Sequence, residues 1–363
     1  MKRFLFCLFL FLSFSVYSQQ KNESFDEDKK IFIQAKIAYD SNNFDDALHY
    51  AELAKQNRKN KITSQVSLLE NSFKPAEVKY AGDSISTSMK ILKERQDYDA
   101  IQIIEWYLKI KSLEFFNDSK NSLLAYIRSV AAFPEADFLV SRVYKIEGEY
   151  DIAITYLKLA LDNASNFDIP DEKYDVLYEL AGIYSLQGKK DEYEKYLLLI
   201  LAQDSVFQDR VLVEAMKKTI STESKTCLEK FFQLYRIKNA HTLKAYFEIA
   251  EYYRQNSSSK AIEASMIGVL TAFSKIDSVL QQRNPEYRYK NIESFFYELK
   301  KYPDIIEWGM TNQVWQGFYN FAVDAYSSHY ISFSLQMLDM LRTSAPELYW
   351  REKAYVKLEE LLS

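Results

Sequence analysis

Apolar and polar positions alternate with the period of a helix along most of this chain. The clearest stretch is residues 136–161, ADFLVSRVYKIEGEYDIAITYLKLAL. Apolar residues recur there every three or four positions, Gly148-Glu149-Tyr150 interrupts them, and a second amphipathic run follows. That pattern predicts two helices joined by a tight turn. The segment LYELAGIYSLQGKKDEYEKYLLLIL repeats it, with Leu177, Leu180, Ala181 and Tyr184 on a first helix and Gly188 at the turn. A third copy holds Tyr246, Ile249, Ala250 and Tyr253, with Ala261 one residue before the expected small site. A fourth holds Phe318, Phe321 and Ala322, then Ser334, Leu338 and Pro346. At the N-terminal end Ala35 is followed by Phe44-Asp45-Asp46-Ala47, Ala51 and Ala54.

One spacing ties these copies together. A small residue on a first helix is followed twelve positions later by another on the second: Ala35 and Ala47, Ser88 and Ala100, Ser141 and Ala153, Ala215 and Cys227, Ala322 and Ser334. Two helices approach closely only where their side chains are small. The first-helix sites Ala181, Ala215 and Ala250 recur about every 34 to 35 residues. Between the copies, residues 62–72, 118–132 and 289–301 read as extra helices, and 163–171, with Pro170, as an insertion. Residues 20–28 read as a frayed polar segment. Residues 347–362 read as a terminal helix whose polar outer face keeps an open stack soluble.

This pattern resembles the tetratricopeptide repeat, W-x2-L-G-x2-Y followed by A-x3-F and a terminal Pro. In the best copy Asp137 stands in the Trp slot, followed by Val140, Ser141 and Tyr144, with Ala153, Leu157 and Ala160 on the second helix. Tyr193 occupies the small-residue slot of the next copy, which loosens the packing there, and Trp fills its slot in none of these copies. The resemblance implies an all-α fold: an α-solenoid of stacked antiparallel helix pairs in a right-handed superhelix, with extra degenerate helices and a capping C-terminal helix. It also implies a concave groove lined by first helices, with the residue after the Trp slot facing it. Those residues are aromatic: Phe32, Phe138, Tyr178, Phe247 and Tyr319. Arg142, Lys145, Glu179, Glu251, Arg254, Asn320 and Tyr326 share or border the same surface. The rings either pack between neighbouring first helices or recognise a partner segment. The basic, Asn-rich clamp with which some family members hold acidic C-terminal peptides has no counterpart here. A second aromatic cluster, 308–330, exceeds what one helix face can bury. Its Trp308 and Trp315 offer a contact patch unless a neighbouring helix covers them.

Composition adds exclusions. Among 363 residues there are 7 Gly and 6 Pro, against a usual share of roughly 7% and 5%. Turn-rich folds and phosphate-binding glycine loops are therefore not expected. Met1-Lys2-Arg3, an apolar run from Phe4 to Phe14 and Val16-Tyr17-Ser18 read as a signal peptide cleaved after Ser18. Without Lys2 and Arg3 the 46 basic residues become 44 against 51 acidic ones, a net charge of −7. That is no footprint for nucleic acid. Of the 2 Cys only Cys227 survives processing, so no internal disulfide forms. The 3 His (His49, His241 and His329) lie far apart, and no nucleophile, metal or nucleotide motif occurs. The expected layout is a signal peptide over 1–18, a frayed segment over 19–29, and repeat-like helices over 30–132. The best-matched pair covers 133–204, degenerate helices 205–302, and a final pair with its capping helix 303–363.

The expectation is a non-enzymatic scaffold with no cofactor and no metal, which binds a protein or peptide partner. No stable membrane insertion is expected after cleavage, and the oligomeric state is left open. The compartment is the periplasm or envelope of a Gram-negative or spirochaete-like cell. The Phe-rich signal and Tyr-, Phe- and Ser-rich repeats are similar to spirochaetal periplasmic repeat proteins of the flagellar motor collar. The rivals are an envelope-assembly factor handling outer-membrane or wall client proteins, and a glycan or cell-wall hydrolase, which needs an accessible carboxylate pair in a cleft.

Overall fold

One recurring turn closes five of the helix pairs. In the computed structural model residues 27–73, 84–110, 119–234, 236–237 and 239–363 are described; the signal segment 1–18 and residues 19–26 of the expected frayed segment lie outside them, whereas 27–29 are helical. Helix α1 (Glu27–Asp40) turns into α2 (Phe44–Asn71), and α3 (Ile85–Glu94) into α4 (Tyr98–Ile110). After α5 (Lys120–Ser129), α6 (Pro134–Ile146) turns into α7 (Tyr150–Asp162), and α8 (Glu172–Leu186) into α9 (Lys190–Leu201). Each of these turns places one residue at positive φ: Asn42 at 58°, Gln96 at 57°, Gly148 at 83° and Gly188 at 69°. The same turn recurs at His329, φ 67°, between α16 (Val314–Ser327) and α17 (Ile331–Ser344). In every case that residue's N–H donates three residues back and the next N–H donates five back, as in Asn42 to Tyr39 and Asn43 to Ala38. This double bond satisfies the carbonyls left open at a helix end. Only two of the five positions are glycine. Scarce glycine therefore does not mean that few special φ positions exist, because Asn42, Gln96 and His329 hold the left-handed conformation at a cost of roughly 1 kcal/mol each.

The twelve-residue spacing is where paired helices touch. Ala35, Ala47, Ser88, Ala100, Ser141, Ala153, Ala322 and Ser334 are all buried, whereas Ala215, opposite the buried Cys227, is only half-buried. The approach is close enough for the Ser334 hydroxyl to donate to the Ala322 carbonyl at 2.7 Å.

The chain divides into two compact units on either side of Val176 and Leu177, a boundary inside α8 and inside the 133–204 segment. In the first unit α2 runs for 28 residues, twice the length of α1. Its first half shares a core with α1 and α6, through Phe32, Ala51, Phe133 and Val140. Its second half, through Ile62, Val66 and Leu69, joins Leu92, Ile104, Tyr107 and Leu124 of α3, α4 and α5 in another. Residues 62–72 are thus a continuation of α2 and no separate helix. The polar stretch that hides this continuity is held by charge. Asp28 on α1, nearly fully buried, accepts from Arg58 Nε at 2.6 Å and from Lys61 Nζ at 2.8 Å. The Arg58 guanidinium also lies 3.3 Å from the centroid of the Phe133 ring.

The second unit repeats this plan. The helices α10 (Arg210–Ile220) and α11 (Cys227–Gln233) precede α12 (Leu243–Arg254), which pairs with α13 (Ser258–Arg283), a helix of 26 residues. The first part of α13 meets α12 and α16, and the Phe273 ring, further along, packs 4.8 Å from that of Phe295 of α14 (Ile292–Leu299). From α14 the chain passes through α15 (Pro303–Thr311) to α16, α17 and α18 (Leu348–Leu362). Helix α18 lies on α16 and α17 and buries Ala354 and Leu358. Its outer face is mixed where a polar one was expected: Leu348, Tyr349, Tyr355, Val356 and Leu362 are exposed there beside Glu352, Lys353, Glu359 and Glu360.

Two outcomes test this account. Replacing Gln96 with Gly relieves the left-handed backbone and should raise unfolding free energy by about 1 kcal/mol in urea titrations. Burial alone would raise the Asp28 pKa, but the hydrogen bonds from Lys61 and Arg58 outweigh it and hold the carboxyl below its ordinary value of 3.8. The stability it contributes is therefore complete above pH 3.8 and lost as pH falls through the lower native value. Asp28→Asn should cost about 3 kcal/mol near neutrality, by leaving two cations unmatched. Denaturation at a series of pH values should show that difference shrinking below the ordinary carboxylate range.

Candidate partner-binding channel

Helices α12 and α16 present matching rows to one another. On α12, Lys244, Phe247, Glu248, Glu251 and Arg254 occupy positions i, i+3, i+4, i+7 and i+10, so they share a face. On α16 and the turn before it, Gln313, Gln316, Gly317 and Asn320 do the same. The two rows, with Tyr193 of α9, line a channel of about 540 Å³. A smaller cavity of about 290 Å³ shares Tyr193, Glu248 and Glu251 with it.

The floor of the channel is the Phe247 ring. It lies against Gly268 of α13 and Gly317 of α16, where an added Cβ would come within 2.9 Å and 2.3 Å of ring carbons. Phe247 is therefore a wedge seated on two bare backbones, and only its upper side faces the cavity. Arg254 closes one end. Its Nε and Nη2 donate to the two carboxylate oxygens of the buried Asp324 at 2.6 Å and 3.0 Å, and Ser265 Oγ donates to the same carboxylate at 2.8 Å. Burial works against the Arg254 charge, yet Asp324 outweighs it and lifts the guanidinium pKa. This bidentate pair locks α12, α13 and α16 together at one point.

The walls differ in character. Two carboxylates are present, as a hydrolase needs, but both are engaged. Glu251 is paired with Arg254, while Glu248 meets Lys244 at 3.6 Å and the Tyr193 hydroxyl at 3.5 Å. Burial pushes the Glu248 pKa up, against the pull of Lys244 and Tyr193. On the opposite wall the side-chain amides of Gln313, Gln316 and Asn320 have no hydrogen-bond partner among the described residues. Each can donate and accept at once, which suits the backbone of an extended segment. Among the described residues no group of three His, Cys, Asp or Glu is arranged to hold a metal ion, and no helix is long and apolar enough to cross a membrane.

The structure gathers four of the sequence-derived groove residues here: Phe247, Glu251, Arg254 and Asn320. The others lie elsewhere. Tyr178 caps α12, its hydroxyl donating to the His241 carbonyl at 2.7 Å and accepting from the Ala245 N–H at 3.0 Å. Glu179, beside it on α8, is half-buried. Tyr319 of α16 lies 5.5 Å from Trp350 of α18, the rings tilted at 39°, and Tyr326, also on α16, is half-buried. Phe32, Phe138, Arg142 and Lys145 belong to the first unit. Phe32 is core, 4.9 Å from Phe133, which corrects its reading as groove surface, since an α1 ring at that position faces α6. Arg142 is exposed, 4.8 Å from the Tyr39 ring centroid and 5.9 Å from that of Phe138, and Lys145 is half-buried.

Trp315 is likewise no contact patch. It is fully buried, 5.9 Å from Phe296 and 5.7 Å from Phe318, because α16 is flanked by α13, α15, α17 and α18 and buries more than one face. Trp308 is half-buried and its carbonyl accepts from Asn312. Sequence reasoning missed Lys244, Glu248, Gln313, Gln316 and Gly317. The first two were within reach as helical neighbours of Phe247, and Tyr193 had announced itself as a large residue in a small slot.

No family model matches this chain. An uncharacterized protein of Treponema pallidum is 31% identical over 329 residues, covering 89% of this chain and 87% of that protein. The crystal structure of the P58(IPK) TPR domain aligns with 93% of this chain and 98% of its own at 14% identity and a TM-score of 0.19, a superposition too loose to support any inference.

The wedge generates a testable outcome. Gly317→Ala drives a methyl into Phe247 and should cost about 1–3 kcal/mol. Adding Phe247→Leu should recover part of that loss, and the non-additivity of the double mutant in thermal unfolding measures the contact.

Proposed function

We propose that this chain, which belongs to one family with the uncharacterized Treponema pallidum protein, is a non-enzymatic scaffold that binds a protein partner. The observation that carries this reading is the channel between α12 and α16, with its unpartnered amide row and aromatic floor. Its two carboxylates are tied to Lys244, Tyr193 and Arg254, so they serve as fixed parts of the wall. The occupant is an extended segment whose main chain meets Gln313, Gln316 and Asn320. The protein is exported, cleaved after Ser18, and works in the periplasm or envelope as one part of a large assembly such as a flagellar motor collar. Helix pairs suit that role because their exposed first helices offer a long surface while the pairs themselves stay rigid.

The test is purification from the native envelope with wild type and two variants. Asn320→Trp fills the channel one helical turn from Asp324 of the lock, and it should abolish retention of the partner at unchanged thermal stability. Glu248→Gln removes an acid but not its shape, and should leave retention intact. Stoichiometric recovery distinguishes an assembly subunit from a factor that handles clients transiently. A glycan-degrading activity that disappears in Glu248→Gln would overturn the scaffold reading. Mass spectrometry of the native N-terminus should find Gln19 as the first residue.

A further inference from the structure

We infer that the outer face of α18 is a second docking site, separate from the channel, and that it takes a basic amphipathic helix of a partner protein. At about 100° per residue, Leu348, Tyr355 and Leu362 form one row along α18, and Tyr349 and Val356 form another. All five are at least half exposed. Glu352 and Glu359, both exposed, fall between the two rows. The inner face of the helix, through Trp350, Ala354 and Leu358, is already occupied by α16 and α17. Row members recur every seven residues, about 10.5 Å along the axis, so each row is a ridge running nearly parallel to the helix, against which the apolar row of a second helix can lie. An extended strand, whose side chains alternate every two residues, has no such match.

Charge selects among the helical and lipid occupants. A second copy of this chain would set the patch against itself, since a two-fold contact is self-complementary. Glu352 and Glu359 would then face the same acidic row on the other copy. An anionic lipid surface is repelled for the same reason. A helix with Lys or Arg beside its apolar row meets the two carboxylates directly, as charged flanks do in paired helices. The basic groups at the edges do not reverse this balance. Lys353 flanks the second row, its Nζ over the Tyr349 ring at 5.6 Å from the centroid, Lys357 is engaged with Glu360 at 2.9 Å, and Arg351 is half-buried at the inner margin.

The experiment uses the full chain and two stapled helical peptides with identical leucine rows, one flanked by Lys and one by Glu, followed by fluorescence anisotropy. The Lys peptide should bind wild type at least about tenfold more tightly than the Glu peptide. The triple variant L348S/Y355S/L362S keeps every charge and should lose that binding. E352K/E359K alters only exposed side chains and should reverse the preference between the peptides. Asn320→Trp, which blocks the channel, should change neither, so this inference and the channel reading fail independently. Lys-peptide binding that survives the triple serine variant would overturn the inference. So would a wild-type dimer in sedimentation that the triple variant dissolves, or flotation of wild type with anionic phosphatidylglycerol vesicles.

Discussion

A helix twice as long as its partner cannot be buried by that partner alone, and both units are organised around this mismatch. Helix α2, with 28 residues, is about 42 Å long, while α1 has 14 residues and covers half of it. Helix α13, with 26 residues, outruns the 12 of α12 in the same way. The uncovered half of each long helix carries apolar residues that must leave water. In the first unit Ile62, Val66 and Leu69 draw in α3, α4 and α5. In the second, Phe273 and Ile276 lie in the half that meets α14. What reads along the chain as irregular helices between repeats is the covering of two overlong ones.

The channel is a consequence of this arrangement. Because α14 meets the far half of α13, the chain returns to its near half with α16, and α16 stacks on the same helix that α12 pairs with. Contact between α12 and α16 is then limited to particular side chains. Phe247 fills the gap against Gly317, and Arg254 reaches across to Asp324. Between those points polar side chains face open space. Tyr193 adds to it, because a phenol cannot enter the close-approach site that alanine occupies in other copies.

Much of the fold was legible in the sequence because close helix approach demands small residues at a fixed interval. Ala35 with Ala47, Ser141 with Ala153 and Ala322 with Ser334 all lie where that spacing put them. The continuity of α2 was not legible. Lys55 to Lys61 looks like a polar break, yet Arg58 and Lys61 are paired to a carboxylate 30 and 33 residues earlier, and periodicity carries no sign of a buried ion pair. The site was half legible for a similar reason. Phe247 and Arg254 follow from helical position, whereas the amide row depends on which helix α16 meets. Trp315 is not legible as core from periodicity, because α16 buries more than one face.

The sharing of α2 changes how the first unit must assemble. In an ordinary repeat array each module touches only its sequence neighbours, so folding can start anywhere and spread. Here Phe32 and Ala51 share a core with Phe133 and Val140, across the whole stretch that holds α3, α4 and α5. Closing that loop comes before any reward from the contact, which slows the search. Modules of this unit therefore cannot be lost or gained one at a time. Cutting away either distant pair strips the near half of α2, and the unit melts as one body instead of fraying from an end.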